Sequence, residues 1–317
     1  MNEAKPQLAT DVTAPHERFR MPRLFASTSR ISTIVAGSSL AQGAERRHKL
    51  KAIDSLRLHW PDYLMEAGGL SIYMFSVCAF ATLSWHPASP IRQFIDGAIP
   101  RRAVMGLGIG TALIAVVVSP WGRRSGGHLN PAMTLAFYRL GKLELWDMLF
   151  YAGSQFLGAL AGVAVAAHVL RGALGNTAVH YAVTAPGVYG DIVAFVAEVM
   201  VSFVLMSTIL FISEHEHLAR YTPYFAGALV AICFVFEAPL SGNSANPARS
   251  FASAMLASYW HALWIYFTAP PFGMLAAAEA FLFFRAGVGP FCAKLHHANH
   301  QRCVFHHGYR TVFRFFG

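Results

Sequence analysis

Six apolar runs, each close to the length of a membrane span, most constrain how this chain can fold. They cover approximately residues 63–85, 103–118, 146–170, 192–212, 223–236 and 262–284. Only 13% of the 317 residues are charged and the mean hydropathy is +0.42, whereas a soluble domain carries about a quarter charged residues. Inside a bilayer every backbone polar group needs a partner within the protein, so such runs predict helices. We therefore expect an integral, multi-pass, all-α membrane protein with six transmembrane helices.

Polar ends divide the chain into three parts. Residues 1–58 are basic and Ser-rich and predict a disordered tail, residues 59–285 hold the spans, and residues 286–317 form a basic tail rich in Cys and His. If both ends lie on one side of the membrane, 20 Lys and Arg residues fall on that side and four on the other. This bias predicts cytoplasmic termini in the plasma (cell inner) membrane. The net charge of +9 lies mostly in the tails, so it does not indicate nucleic-acid binding.

The first tail leaves one alternative open. Residues 18–30 are rich in Arg and Ser and poor in acids, which is also typical of an organelle transit peptide. The tail has no apolar stretch of the kind that a cleavable secretory signal needs.

A polar decapeptide occurs twice, as SGGHLNPAMT from residue 125 and as SGNSANPARS from residue 241. The copies share Ser-Gly, Asn-Pro-Ala and a final hydroxyl residue at the same offsets. Each follows the second span of a group of three, and the first span of each group carries one acid, Glu66 or Glu198. Three spans per half invert the second half relative to the first. The pattern predicts inverted repeats over about residues 60–142 and 190–285, with a transport pathway where they meet.

The two Asn-Pro-Ala triplets predict the beginnings of two short helices, because Asn is a preferred N-cap and Pro is favoured at the next position. The apolar residues that follow, about 131–140 and 247–257, cover only half a membrane. Non-helical backbone at this depth is tolerated only inside protein or beside water. We therefore expect two re-entrant half-helices that meet N-terminus to N-terminus near the midplane. The triplets are Asn130, Pro131 and Ala132, and Asn246, Pro247 and Ala248.

Two facing helix N-termini and two Asn amides would oppose cations and interrupt a proton relay through water. A charge at membrane depth is costly, so Arg249 is expected in a wet cavity about one helical turn from the junction, where it donates to a passing solute. An Arg that pairs with an acid to hold the loop is the alternative. The extended legs would offer a ladder of backbone carbonyls to a file of water, from Gly126, Gly127, His128, Leu129, Ser244 and Ala245.

Together these features resemble the major intrinsic protein (aquaporin) family over roughly residues 60–285. Two NPA boxes in register, the second reading NPAR, carry the resemblance with the two span acids. It implies a right-handed bundle, a pore in each protomer and a homotetramer, and it implies that Glu66 and Glu198 hydrogen-bond the re-entrant loops. The narrow filter that the resemblance implies consists of Arg249, Asn243, Phe234 and Met105. Packing of Phe234 or Met105 against a neighbouring helix is the alternative for those two.

The function that follows is a passive channel for water in the lipid bilayer, without enzymatic activity and without a cofactor. The chain departs from the family pattern in the longer connection SPWGRRSGG and in the polar Asn243. These departures leave a channel for small neutral solutes, such as glycerol, urea or undissociated acids, as the alternative. Against it, family glycerol channels usually have Asp after the NPAR Arg, and here Ser250 follows. A secondary transporter with broken helices is a less favoured reading, which needs a coupling-ion site.

The C-terminal tail holds residue types that bind transition metals. Their spacing matches no common zinc motif, so no metal is expected, and a metal- or redox-responsive protein remains a third class of function. The weak candidate ligands are Cys292, His296, His300 and Cys303.

Overall fold

The computed structural model describes residues 51–215, 217–296 and 302–305, and across these residues the regular structure is entirely helical. Six helices in the described ranges are long and apolar enough to cross a membrane, which confirms the prediction of six spans. They are α1 (Ala52–Trp85), α3 (Ala98–Val118), α6 (Leu145–Leu170), α7 (Asp191–Ser213), α8 (Thr222–Ser241) and α10 (Leu263–Phe284). The shorter helices are α2 (Pro90–Phe94), α4 (Pro120–Ser125), α5 (Pro131–Arg139) and α9 (Pro247–Ala257).

Helices α1 and α8 are among the spans that are longer than their apolar runs. Helix α1 begins at Ala52, so residues 52–58 of the predicted tail are helical; Ser55 is buried there, and its carbonyl accepts from the Tyr63 hydroxyl at 3.2 Å. Helix α8 ends at Ser241 rather than near residue 236, and it passes through Glu237 and Pro239. The helix can continue because the Glu237 carboxyl group is not exposed to lipid: it is buried and hydrogen-bonded to the Ser241 hydroxyl.

The helices pack as two inverted halves. Helix α1 lies against α6, the equivalent α7 lies against α10, and α3 and α8 contact each other across the halves. The half-helix α5 packs against α10, and the half-helix α9 packs against α6, so each lies against the last span of the other half. This arrangement brings the N-termini of α5 and α9 to the centre of the bundle.

Glycines at the helix crossings let the backbones approach closely. A Cβ added at Gly158 of α6 would lie 2.2 Å from the Ala67 carbonyl oxygen of α1. In the equivalent place in the second half, a Cβ at Gly273 of α10 would lie 2.3 Å from the Val199 oxygen of α7. These contacts fix the distances between the helices that surround the central space.

Candidate functional site

The half-helices α5 and α9 begin at equivalent Asn residues, each of which caps its own helix. Asn130 Oδ1 accepts from the Ala132 backbone N–H at 2.9 Å, and Asn246 Oδ1 accepts from the Ala248 N–H at 3.0 Å. Pro131 and Pro247 follow the caps, where the missing N–H costs no helical hydrogen bond. The local sequence therefore accounts for both helix starts.

The amide nitrogens of Asn130 and Asn246 join the two re-entrant loops, and this contact between the loops is called the Asn junction. Asn130 Nδ2 donates to the Ala245 carbonyl at 2.7 Å, and Asn246 Nδ2 donates to the Leu129 carbonyl at 2.8 Å. Each amide nitrogen carries a second N–H. Since both Asn side chains line the cavity beside this junction, that second donor is available to a molecule in the cavity.

Glu66 of α1 holds the first re-entrant loop. Its oxygens accept from Ser125 Oγ at 2.7 Å, from the backbone N–H groups of His128 at 3.1 Å and Leu129 at 2.7 Å, and from Gln155 Nε2 at 2.9 Å. The side chain is fully buried, so these donors replace the water that a carboxylate would otherwise need.

Glu198 of α7 holds the second loop with the same pattern. It accepts from Ser241 Oγ at 2.6 Å and from the backbone N–H groups of Ser244 and Ala245, both at 2.7 Å. Ser241 also contacts Glu237, a third buried acid that the sequence motifs do not single out. Its one available signal was an acid directly after the fifth apolar run, residues 223–236.

The backbone conformation of the loops repeats as well. Leu129 and Ala245 are both left-handed, with φ of 51° and 49°, which aims their carbonyls at the partner Asn. Gly127 and its equivalent Asn243 are also left-handed, with φ of 67° and 54°. Asn is one of the few residues with a side chain that tolerates this region. Asn243 therefore has a conformational reason for its place, apart from any contact with a solute.

The Asn243 side chain is held by helix α8. With its amide oriented so that both atoms find partners, its nitrogen donates to Glu237 Oε2 at 3.1 Å and its oxygen accepts from the Phe234 backbone N–H at 3.0 Å. Asn243 lines the cavity, but its amide is already engaged.

Arg249 lines two spaces within the bundle. The first lies beside the Asn junction, and Asn243, Asn246 and Arg249 are part of its lining. The second is lined by Arg249 together with Met105 and Phe234. The structure thus brings three of the four predicted filter residues around one space, with Asn243 in the lining of the other.

The Arg249 guanidinium is buried, with 5% of the residue exposed. Its Nη1 has no hydrogen-bond partner among the described residues, and none of the ion pairs found in those ranges includes Arg249. The alternative in which Arg249 pairs with an acid to hold the loop therefore has no counterpart in this part of the chain. Arg249 instead lines both of these spaces within the bundle.

The predicted carbonyl ladder is placed only in part. His128, Leu129, Ser244 and Ala245 line the cavity beside the junction, but Gly126 and Gly127 are not in its lining. The Gly126 carbonyl instead accepts from the Leu295 backbone N–H at 3.0 Å. The Gly126 carbonyl is thus engaged by a C-terminal residue far away in sequence, and its place in the ladder stays a prediction.

His128 connects the cavity to the same C-terminal residues. Its ring lies between Phe137 and Phe305, with centroids 4.9 Å and 5.1 Å away, and its Nε2 lies 3.0 Å from the Ala293 carbonyl oxygen. No local sequence motif predicts the contact of His128 with Ala293 and Phe305, because it joins residues that are far apart in the sequence.

Among the weak candidate metal ligands, the structure brings Cys292 and Cys303 together as a pair. Cys292 Sγ and Cys303 Sγ lie 3.7 Å apart. Within the described ranges, no group of three or more His, Cys, Asp or Glu residues could hold a metal ion. His296 lies in the same segment, and His300 falls outside the described residues.

Comparison with known proteins decides the family. The major intrinsic protein family matches residues 54–282, which is most of the chain and reaches from the first span into the sixth. The chain belongs to the major intrinsic protein family. Its six apolar helices and its family membership make this major intrinsic protein an integral, multi-pass membrane protein.

Relatives of this major intrinsic protein come from distant organisms. Aquaporin NIP1-3 of Oryza sativa subsp. japonica is 33% identical over 169 residues, which cover 53% of this chain and 57% of that protein. Aquaporin NIP2-3 of Zea mays is 32% identical over 186 residues, which cover 58% of this chain and 60% of that protein. The lens fiber major intrinsic protein of Gallus gallus is 34% identical over 235 residues, 73% of this chain and 82% of that protein.

A solved structure supports the same fold. The X-ray structure of the aquaglyceroporin from Plasmodium falciparum superposes with a TM-score of 0.58 and 18% sequence identity. The match covers 70% of this chain and 95% of that one.

Proposed function

We propose that this major intrinsic protein is a passive pore for water that excludes ions. Arg249 carries the proposal, because it lines two cavities and its buried guanidinium has an unpartnered Nη1 among the described residues. Its N–H groups can donate to a water oxygen, while its charge opposes cations. Met105 and Phe234 supply an apolar wall to the space on one side, which favours a small solute with few hydrogen bonds to satisfy.

Exclusion of protons rests on the Asn junction. Asn130 and Asn246 each keep one amide N–H toward the cavity, and the N-termini of α5 and α9 add positive dipole ends. A water molecule that accepts from both amides is oriented with its hydrogens outward in both directions. Such a molecule cannot take part in a continuous proton relay.

A channel for small neutral solutes is the second candidate, and the polar Asn243 in the cavity lining favours it. The engagement of its amide with Glu237 and the Phe234 backbone leaves it little capacity to bind a polyol hydroxyl. Water is therefore the preferred solute.

A secondary transporter fits less well. It would need an acid free to bind a coupling ion beside unwound backbone. Glu66 and Glu198 lie beside the re-entrant loops, but both oxygens of each already accept hydrogen bonds from those loops.

The channel is proposed to lie in the plasma (cell inner) membrane as a homotetramer with both termini cytoplasmic. The start of α1 and the C-terminal residues lie at one end of the bundle, as Asp62 pairs with Arg124 at 3.2 Å and Leu295 binds Gly126 at 3.0 Å. The position of these two parts of the chain at one end agrees with an even number of spans.

The test is stopped-flow light scattering on proteoliposomes that contain the full chain, with osmotic gradients of an impermeant sugar and then of glycerol. We expect fast water efflux and little glycerol entry. Arg249→Ala should raise glycerol entry by about tenfold or more, the effect of removing roughly 1.4 kcal/mol of barrier. It should also raise the proton leak, which a pH-sensitive dye trapped in the vesicles reports.

Arg139→Ala is the matched control, because Arg139 ends the other half-helix and pairs at the surface with Glu279 at 2.7 Å. It should leave both fluxes near those of the parent protein. Water efflux equal to that of empty vesicles would contradict the proposed pore. Fast glycerol entry through the parent protein would instead support the second candidate.

A further inference from the structure

The C-terminal segment, defined here as residues 291–296 and 302–305, packs onto the first re-entrant loop. The Leu295 N–H donates to the Gly126 carbonyl at 3.0 Å, and the Ala293 carbonyl lies 3.0 Å from His128 Nε2. The Phe305 ring stacks on His128 and leaves no room for a Cβ at Gly126, since a Cβ there would lie 2.5 Å from it.

The contact is a packed one rather than a loose approach. Ala293, Leu295 and Phe305 are at most 4% exposed. The two parts of the C-terminal segment are also bonded to each other, because Lys294 Nζ donates to the Arg302 carbonyl at 2.8 Å.

The C-terminal segment packs against His128, a residue that lines the cavity beside the Asn junction. His128 belongs to that cavity's lining, and its ring also bears Ala293 and Phe305. The C-terminal segment is therefore one residue away from the cavity at its His128 end, so the strength with which it is held there bears on any path past His128.

Two cysteines lie within the C-terminal segment, one in each part. Cys292 Sγ and Cys303 Sγ are 3.7 Å apart, and a disulfide requires about 2.05 Å. A shift of less than about 2 Å would allow the bond. The bond would join residues 291–296 covalently to residues 302–305. Both parts contact the first re-entrant loop, through Leu295, Ala293 and Phe305.

We propose that Cys292 and Cys303 form a reversible disulfide that fastens the C-terminal segment over the His128 end of the pore and lowers its permeability. The inference rests on the proposed water pore. The oxidant is a low-molecular-weight disulfide of the glutathione class. The pair is a redox modification site rather than a metal site, since only two ligands meet here among the described residues.

The chemistry is thiol–disulfide exchange. One cysteine thiolate attacks a sulfur of the small disulfide, which forms a mixed disulfide and releases one small thiol. The second cysteine thiolate then attacks the protein sulfur of the mixed disulfide and releases the second small thiol. The two protein thiols lose two electrons and two protons, and the small disulfide gains both as two thiols.

The two sulfurs differ in reactivity. The hydrogen bond with Cys303, together with burial, raises the pKa of the Cys292 thiol, so it stays protonated at neutral pH. Cys303 is more exposed and is the better first nucleophile. In a reducing cytosol both remain thiols, so the bond forms only when the thiol pool becomes oxidised.

The test uses the full chain on a Cys233→Ala background, because Cys233 lines the cavity and its own modification would block the pore directly. Protein is treated in detergent with dithiothreitol or with glutathione disulfide, then reconstituted for stopped-flow measurement. We expect a peptide linked through Cys292 and Cys303 by mass spectrometry, and a fall in water permeability of about fivefold or more, the lower end of ordinary coupling between sites. Dithiothreitol should restore the permeability.

Cys292→Ser and Cys303→Ser should abolish the response to oxidation, whereas the control Cys78→Ala, in α1 outside the C-terminal segment, should keep it. The proposal is overturned if no linked peptide forms, or if the link forms and the permeability does not change. If the reduced protein shows no water permeability, the double variant Leu295→Ala/Phe305→Ala is measured as well. This variant weakens the packing of the C-terminal segment on the first re-entrant loop. Permeability gained by that variant supports the proposal, and a variant that still conducts no water overturns both this proposal and the water pore.

Discussion

At the scale of single residues, Asn243 shows that a polar residue in a pore can be required by its backbone conformation rather than by contact with a solute. Its φ of 54° matches the left-handed Gly127 of the first loop, and its amide is engaged with Glu237 and the Phe234 backbone. We expect Asn243→Ala to be less stable than Asn243→Gly by about 1 kcal/mol, because Ala carries a left-handed penalty that Gly avoids. Thermal unfolding midpoints of the two variants in detergent measure the difference.

The same pair of substitutions at Asn176 provides the control. Asn176 is an Asn in the connection between α6 and α7, and its φ is not left-handed. Ala should be at least as stable as Gly there. Equal stability of the two Asn243 variants would show that the backbone does not explain this residue.

Residue types with strong local rules were predictable from the sequence, and residues that depend on long-range contacts were not. Asn130 and Asn246 follow from helix capping, and the structure places them together. Glu237 follows from no motif, since only the fold brings Ser241 and Asn243 beside it.

At the scale of helices, close crossings through glycine set the width of the bundle. Gly158 and Gly153 lie on the same helix, α6, but only Gly158 faces a neighbour, the Ala67 carbonyl of α1. We expect Gly158→Ala to lower the free energy of unfolding by about 1–3 kcal/mol, because the helices must separate to admit the methyl group. Gly153→Ala meets nothing within 4 Å and should be neutral or stabilising by up to about 1 kcal/mol.

Chemical unfolding in mixed micelles, followed by Trp fluorescence, compares these two variants with the parent. A smaller loss for Gly158→Ala than for Gly153→Ala would mean that the crossing of α1 and α6 is looser than the structure indicates.

Helices were predictable where hydropathy alone decides their extent. The end of α8 was not, because Glu237 and Pro239 resemble a helix stop, whereas the buried partners of Glu237 let the helix continue to Ser241. The sequence predicts a lengthened loop at the connection SPWGRRSGG, but this connection contains the short helix α4. Ser119 caps that helix, because its Oγ accepts from the Gly122 N–H at 3.2 Å.

At the scale of the whole molecule, the inverted repeat could be predicted because it is written twice in the sequence. The path of the C-terminal residues could not, since their contacts with Gly126 and His128 join parts of the chain that share no pattern. The physical reason is general: repeated local rules recur in the sequence, and a unique long-range packing contact leaves no periodic trace.

Orientation in the membrane is the remaining property of the whole molecule, and charge decides it. If both termini lie on one side, twenty Lys and Arg residues fall on that side and four on the other, a bias that favours cytoplasmic termini. Val188, in the connection between α6 and α7, is 94% exposed and lies at the opposite end of the bundle from the start of α6. An epitope inserted after Val188 should bind antibody on intact cells, whereas epitopes before Met1 and after Gly317 should bind only after the cells are permeabilised. Detection of either terminal epitope on intact cells would contradict this orientation, and detection of only one would also contradict six spans, because an even number of spans keeps both termini together.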